Sequence, residues 1–334
     1  MDYSTTGSSS EALATVASLK KTLTSEEIPL ARRFRALFSL KHLACLNPAT
    51  EQTLPAIEAI AAAFSSPSAL LKHELAYCLG QTKNLKSVPF LRDVLEDRQE
   101  DPMCRHEAAE ALGALGDVGS LEILKALRDD PSEPDVVRET AEISMDRIAW
   151  GESEQGKAEK LKTSDFASID PAPPFPMSQQ QTSIPQLKDT LIDTSLPLFQ
   201  RYRAMFTLRD LASPPDLPTA VPAVLAIAEG FKDPSALFRH EIAFVFGQLC
   251  HPASIPSLVD TLSNTSEAGM VRHEAAEALG SLGDEEGVED ALKKFIDDPE
   301  QVVRDSIIVA LDMAEFEKNG EKEYALLPDT AVQA

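Results

Sequence analysis

Apolar residues recur along the chain at helical spacing. Ala108, Ala109, Leu112 and Leu115 fall on one face of a 3.6-residue repeat, and strand-like alternation is absent there. A basic residue opens each such run: Arg33, Lys72, Arg105 and Arg138, then Arg201, Arg239, Arg272 and Arg304. Within each set the basic residue returns at a near-constant interval, the period of one helical hairpin per unit. Pro102, Pro234 and Pro299 are read as helix starts, and Gly80, Gly113, Gly116, Gly247, Gly280 and Gly283 as helix ends.

The units fall into two homologous halves. The run from Met103 to Asp117 recurs from Met270 to Asp284, with Arg-His-Glu-Ala-Ala-Glu-Ala-Leu-Gly shared. Ala69–Gln81 recurs as Ala236–Gln248, and Arg33–Leu40 as Arg201–Leu208. The fold class expected is therefore all-α: a HEAT-like solenoid of helical hairpins, four per half. The expected organisation is a first half over 1–150, a linker over 151–183, a second half over 184–320 and a tail over 321–334. The linker contains Asp170-Pro-Ala-Pro-Pro-Phe-Pro176 and then Gln179-Gln180-Gln181. Nothing in it can build a core, so a flexible or extended segment is expected. The ends of the chain, including residues from Gly320 on, are expected to fray.

Charge narrows the functional classes. With 54 acidic against 31 basic residues the net charge is -23, the wrong sign for a general nucleic-acid binder. Such a surface suits a basic partner, or simply keeps a scaffold in solution. No apolar run reaches membrane-spanning length, and the first ten residues lack a basic-then-apolar leader pattern. Cys45, Cys78, Cys104 and Cys250 form no C-x-x-C pair, so neither a thiolate zinc site nor a disulfide framework is expected. The compartment expected is the cytoplasm, with the nucleus beside it.

The chemistry-bearing signal is histidine. Four of the six histidines are followed by glutamate: His73-Glu74, His106-Glu107, His240-Glu241 and His273-Glu274. Only the two central units of each half carry the pair. The flanking units place Phe34-Arg35, Glu139-Thr140, Tyr202-Arg203 and Asp305-Ser306 after the same basic residue. A single His-Glu pair at a helix start is ordinarily solvated or capping. Two pairs one repeat apart, at matching places in both halves and absent from the flanks, mark a site. Equivalent residues of adjacent solenoid units lie roughly 10 Å apart, so their side chains can converge on one ion. Each half can supply two imidazoles and one or two carboxylates. Two imidazoles and a carboxylate on one face suit ferrous iron that must meet oxygen. Two halves facing each other across a cleft give a candidate dinuclear centre, and dinuclear zinc hydrolysis is a rival use of the same ligands. His106 with Glu110 and His273 with Glu277 are i,i+4 pairs, read as structural rather than ligating. H-E-x-x-H, E-x-x-H and the phosphate-cradling G-x-x-x-x-G-K-[ST] are absent, and no serine or cysteine triad is suggested.

These features together resemble the deoxyhypusine hydroxylase family: two four-unit HEAT-like halves, a linker with Asp170-Pro-Ala-Pro-Pro174, and four His-Glu pairs in the central units. The resemblance implies a non-haem di-iron monooxygenase with two Fe2+ per chain. It would use O2 and a reductant to hydroxylate the deoxyhypusine side chain of the translation factor five-A precursor, forming hypusine. It implies one iron on His73, His106 and Glu107 and the other on His240, His273 and Glu274. Glu74 and Glu241 are implied to face the substrate amine or to stand behind the ligands. A monomer that binds neither nucleic acid nor membrane is expected. The alternative is a non-catalytic acidic HEAT scaffold holding a basic protein.

Overall fold

In a computed structural model, which describes residues 6–161, 165–176 and 183–318, the chain is helical, and no strand occurs among the described residues. By mutual contact these residues form two compact units, the first reaching Asp117 and the second beginning at Val118. The first unit contains α1 (Thr6–Thr24), α2 (Leu30–Ala44), α3 (Thr53–Ala61), α4 (Ala69–Gln81), α5 (Val88–Glu96) and α6 (Pro102–Ala114). The second contains α7 (Leu121–Asp129), α8 (Asp135–Glu152), the short α9 (Glu154–Ala158), α10 (Ile184–Ile192), α11 (Leu198–Ala212), α12 (Ala220–Ala228), α13 (Ala236–Leu249), α14 (Ile255–Ser263), α15 (Gly269–Gly280), α16 (Val288–Lys293) and α17 (Gln301–Lys318). The Gln179–Gln181 run, the tail over 321–334 and the chain ends from Gly320 on lie outside the described residues. No helix among the described residues is long and apolar enough to cross a membrane.

The periodic basic residue stands on the second helix of every hairpin, and its bonds explain the period. Nε of Arg33, Arg105, Arg138, Arg201 and Arg272 donates to the backbone carbonyl ten residues earlier, at distances from 2.8 to 3.2 Å. Those carbonyls, of Leu23, Leu95, Arg128, Leu191 and Leu262, lie in the last turn of the hairpin's first helix, where helical partners run out. One guanidinium thus closes the hairpin. Its remaining donors reach forward to the next hairpin: Arg201 pairs with Asp233, and Arg272 with Asp298 at 2.5 Å. Lys72 and Arg239 make the forward contact too, with Glu100 at 2.5 Å and Glu267 at 2.6 Å. Arg33, Arg105, Arg201 and Arg272 are buried. A buried cation is tolerated where carbonyls and a carboxylate engage it.

Of the glycines read as helix ends, Gly280 does end α15, while others serve a different purpose. Gly80, Gly113 and Gly247 lie inside their helices, and Gly116, at φ +67°, supplies the left-handed turn that ends one. Pro102 opens α6, whereas Pro234 and Pro299 stand just before their helices. A Cβ on Gly80 would meet Ala111 Cα and Cβ of α6 at 2.8 Å, and one on Gly280 would meet Ala310 Cα of α17 at 2.8 Å. These glycines therefore let consecutive second helices lie backbone to backbone. At Gly247 the nearest atom, Ala278 Cα on α15, is 3.4 Å away, so the second unit's version of the contact has room for a methyl group.

The segment between the halves departs from expectation. It builds no core of its own, but it docks on one. Ala172 is fully buried in the second unit's core, with Phe166 and Phe175 packed against that core. Arg203 donates to the carbonyls of Pro173 and Pro174 at 3.2 and 3.0 Å and pairs with Glu159 at 2.5 Å. Arg209, fully buried, pairs with Asp170 at 2.8 Å and Asp210 at 3.1 Å, and its guanidinium stacks 4.4 Å from the Phe166 ring. A proline-rich backbone has few N–H donors and many carbonyls, which is what the buried Arg203 guanidinium reads.

Gly80→Ala and Gly247→Ala are expected to behave oppositely. Each gains about 1 kcal/mol of helix propensity, but Gly80→Ala forces α4 from α6 at a cost of about 1–3 kcal/mol. Thermal unfolding should show a lower Tm for Gly80→Ala and an unchanged or higher Tm for Gly247→Ala. Equal shifts in the two variants would refute the contact argument.

Candidate metal sites

A side-chain cap starts three of the four helices that carry a His-Glu pair, and α15, which follows Ala268, lacks one. Ser68 caps α4 by accepting from Leu71 N–H at 3.2 Å, Asp101 caps α6 by accepting from Met103 N–H at 2.8 Å, and Ser235 caps α13 by accepting from Phe238 N–H at 3.1 Å. The cap fixes where the helix starts, and the basic residue fixes its rotation. The next residue, histidine, is then turned inward. His106 and His273 are fully buried, and His73 and His240 are nearly so. All four partnering glutamates are buried as well.

In the first unit the rings of His73 and His106 approach to 5.3 Å between centroids, tilted by 41°. Glu107 Oε2 lies 3.3 Å from His73 Nε2. The second unit repeats this almost atom for atom. His240 and His273 are 5.3 Å apart and tilted by 44°, and Glu274 Oε2 lies 3.4 Å from His240 Nε2. Donor atoms of His240, His273 and Glu274 all lie within 4.8 Å of one another. Donor atoms of His106, Glu107 and Glu110 do the same in the first unit. Two donors each ~2.1 Å from one ion, at ligand angles between octahedral and tetrahedral, stand roughly 3.0–3.4 Å apart. The imidazole–carboxylate separations match that spacing in both units. Two neutral nitrogens and one carboxylate form a donor set that first-row divalent metals accept. The residues present therefore fit a metal ion.

Neighbouring groups bear this out by contrast. Cys78 Sγ lies 3.9 Å from Glu74 Oε1, and burial first and the Glu74 carboxylate second hold the thiol well above its ordinary range. The two histidines outside the pairs have other situations. His42 is exposed, and His251 caps a short turn by accepting from Ala253 N–H at 3.1 Å.

Comparison with known proteins agrees with this construction. HEAT repeats match residues 57–146 and 221–312, which include all four His-Glu pairs. A deoxyhypusine hydroxylase of Aspergillus clavatus is 73% identical over 334 residues, covering all of both chains. One from Neosartorya fischeri is 74% identical over 320 residues, 96% of each chain. The chain belongs to the deoxyhypusine hydroxylase family. The structure of human deoxyhypusine hydroxylase in complex with glycerol matches at a TM-score of 0.81 and 44% identity, over 92% of this chain and 98% of that one. The all-α HEAT solenoid read from the sequence is thus the family's fold, and the chain is an enzyme.

Of the residues singled out from the sequence, the structure brings His73, His106 and Glu107 together in the first unit and His240, His273 and Glu274 in the second. Glu74 and Glu241, on the same helices as the leading histidines, are buried as well. Glu110 and Glu277 stand closer than a purely structural reading anticipates. Glu110 shares the His106–Glu107 group, and Glu277 Oε1 lies 3.7 Å from His273 Nδ1. The i,i+4 spacing was the available signal, and it gives proximity without saying what the carboxylate touches.

Proposed function

We propose that the chain is a deoxyhypusine hydroxylase that holds two ferrous ions, one on His73, His106 and Glu107 and one on His240, His273 and Glu274. The observation carrying this reading is the duplicated His–His–Glu geometry, with the imidazole–carboxylate contact at 3.3 Å in the first unit and 3.4 Å in the second. The substrate is the deoxyhypusine side chain on the translation factor five-A precursor, and the product is hypusine. One atom of O2 enters a C–H bond as hydroxyl. The other leaves as water, with two electrons and two protons from a reductant. Bound iron supplies the oxygen activation that an unactivated C–H bond requires and that side-chain acid–base chemistry cannot provide.

The chain's own residues do the rest. The imidazoles and carboxylates are buried and pre-formed on packed helices, so little reorganisation accompanies metal uptake. Glu74 and Glu241 supply negative charge next to each metal set, where a long cationic amine is to be anchored; a carboxylate–ammonium pair does this in a partly desolvated site. A surface of net charge -23 draws a lysine-rich substrate loop toward the enzyme. A monomer working in the cytoplasm, and also the nucleus, is the setting we propose. The zinc hydrolase and the non-catalytic scaffold are not favoured, because relatives near three-quarters identical over the whole chain carry the hydroxylase name.

Metal analysis of the purified protein is expected to give about two irons per chain, and His73→Ala or His240→Ala to lose the iron of its own unit. Supplied with 18O2 and reductant, the protein should convert deoxyhypusine to hypusine carrying one labelled oxygen. Iron-loaded protein that leaves deoxyhypusine unchanged would defeat the assignment.

The electrostatic part has its own check. Because exposed charges are screened over about 10 Å at 0.1 M salt, kcat/KM for the protein substrate should fall as salt rises. A short neutral-flanked deoxyhypusine peptide should show a much weaker fall. Parallel salt profiles for the two substrates would remove surface attraction from the account.

A further inference from the structure

We propose that Glu277 is a positioning residue, which holds the imidazole of His273 with Nδ1 toward the carboxylate and Nε2 toward the metal; Glu110 stands at the matching place in the first unit. The proposal rests on the reading that the His–His–Glu sets bind metal, and it assigns one further residue to the second unit's set.

The first observation comes from the repeat itself. Both glutamates stand five positions after the basic residue that opens their helix. In the other six hairpins that position is apolar or aromatic: Phe38, Tyr77, Ile143, Phe206, Phe244 and Val309. The solenoid therefore fills this place with such a side chain wherever it has a choice. A carboxylate appears there only in the hairpins carrying His106-Glu107 and His273-Glu274. A duplicated surface charge has no reason to follow that rule.

The second observation is geometric. His273 is fully buried, and the group one turn further along α15 that faces its Nδ1 is Glu277, 3.7 Å away. That is roughly half an ångström longer than a hydrogen bond, within reach of a small rotation of either side chain. Ser306 on α17, fully buried, meets the same Oε1 at 3.4 Å, so the carboxylate is held from a neighbouring helix. The donor set of His240, His273 and Glu274 closes without Glu277, and the ring nitrogen of His273 that this carboxylate meets is Nδ1, which leaves Nε2 for a metal. A metal-bound imidazole must offer a lone pair on one nitrogen and carry its proton on the other. A carboxylate at Nδ1 accepts a hydrogen bond from that N–H, fixes the tautomer and makes Nε2 a better donor to the metal.

Cobalt(II) titration of the full chain, followed by its visible ligand-field bands and by competition with a chelator, tests this without turnover. Wild type, Glu277→Ala, Glu277→Gln and His273→Ala are compared. Glu277→Ala is expected to weaken one class of cobalt site about 10–100-fold and shift its bands. Glu277→Gln keeps an acceptor oxygen in place and should recover most of the affinity, which loss of fold or packing would not allow. If Glu277→Ala keeps wild-type affinity and bands while His273→Ala loses the metal, the metal reading stands and the positioning role falls. If Glu277→Gln loses cobalt as completely as His273→Ala, the carboxylate is a ligand and the positioning role again falls. Wild-type protein that binds no cobalt would remove both readings together.

Discussion

The guanidinium staple is the constraint on which the rest of the structure depends. A solenoid hairpin must stop its first helix, turn and start its second at a fixed rotation. One arginine does all three by taking a last-turn carbonyl of the first helix with Nε and an acid of the next hairpin with its outer nitrogens, as Arg272 does with Leu262 and Asp298. A buried charge that is half satisfied costs several kcal/mol, so a shifted helix is penalised steeply. The residue after the staple inherits that precision. After Arg105 and Arg272 it is histidine, and Lys72 and Arg239, which reach forward to Glu100 and Glu267, precede the other two histidines; both units carry the same alternation, and their sites are nearly identical, with tilts of 41° and 44° at the same 5.3 Å centroid distance.

Convergence needs a second condition, which is close approach of neighbouring second helices. Helix axes ordinarily lie about 8–10 Å apart, and large side chains at the contact would keep the imidazoles at the far end of that range. Gly80 against Ala111 and Gly247 against Ala278 place small residues two turns beyond His73 and His240, on the same helix pairs. The first contact has no spare volume and the second has room for a methyl group, yet the rings meet at the same distance. How tightly the glycine packs therefore does not set the ring distance; the glycine permits the approach.

Much of this was legible in the sequence because periodicity and exception are both visible there. Arg33, Lys72, Arg105 and their counterparts give the hairpin period, and His-Glu in some hairpins but not others separates function from folding. Gly80 and Gly247 were misread because they sit near the C-terminal ends of apolar runs, where a cap and a close contact leave the same letter. The strap was missed for a different reason. Asp170–Pro176 has no periodicity, and its partners Arg203 and Arg209 stand far along the chain on α11, a pairing that composition does not encode. Glu277 shows the limit of spacing rules: i,i+4 gives neighbourhood, whereas its role turns on which ring nitrogen it meets.

The two units also act as controls for each other. Arg209 is buried under the strap between Phe166 and Phe206, whereas Lys41, its counterpart one residue beyond the shared Arg33–Leu40 run, lies 4.6 Å over the Tyr77 ring of its own unit. The chemistry matches the situation. A planar guanidinium can be buried between rings while it pairs with Asp170 and Gln248, and an ammonium, more strongly hydrated, is kept half-exposed. Gln248, at the far end of the helix carrying His240, also donates to Ser168 of the strap at 2.7 Å, which ties that segment to the second unit's site helix. Yet the first unit reaches the same imidazole and carboxylate geometry with Lys41 in that place. The strap is therefore an addition to the second unit and not a source of its metal geometry. What the two units share is a basic residue anchoring each site helix and the small-residue contact behind it, and both units carry the site.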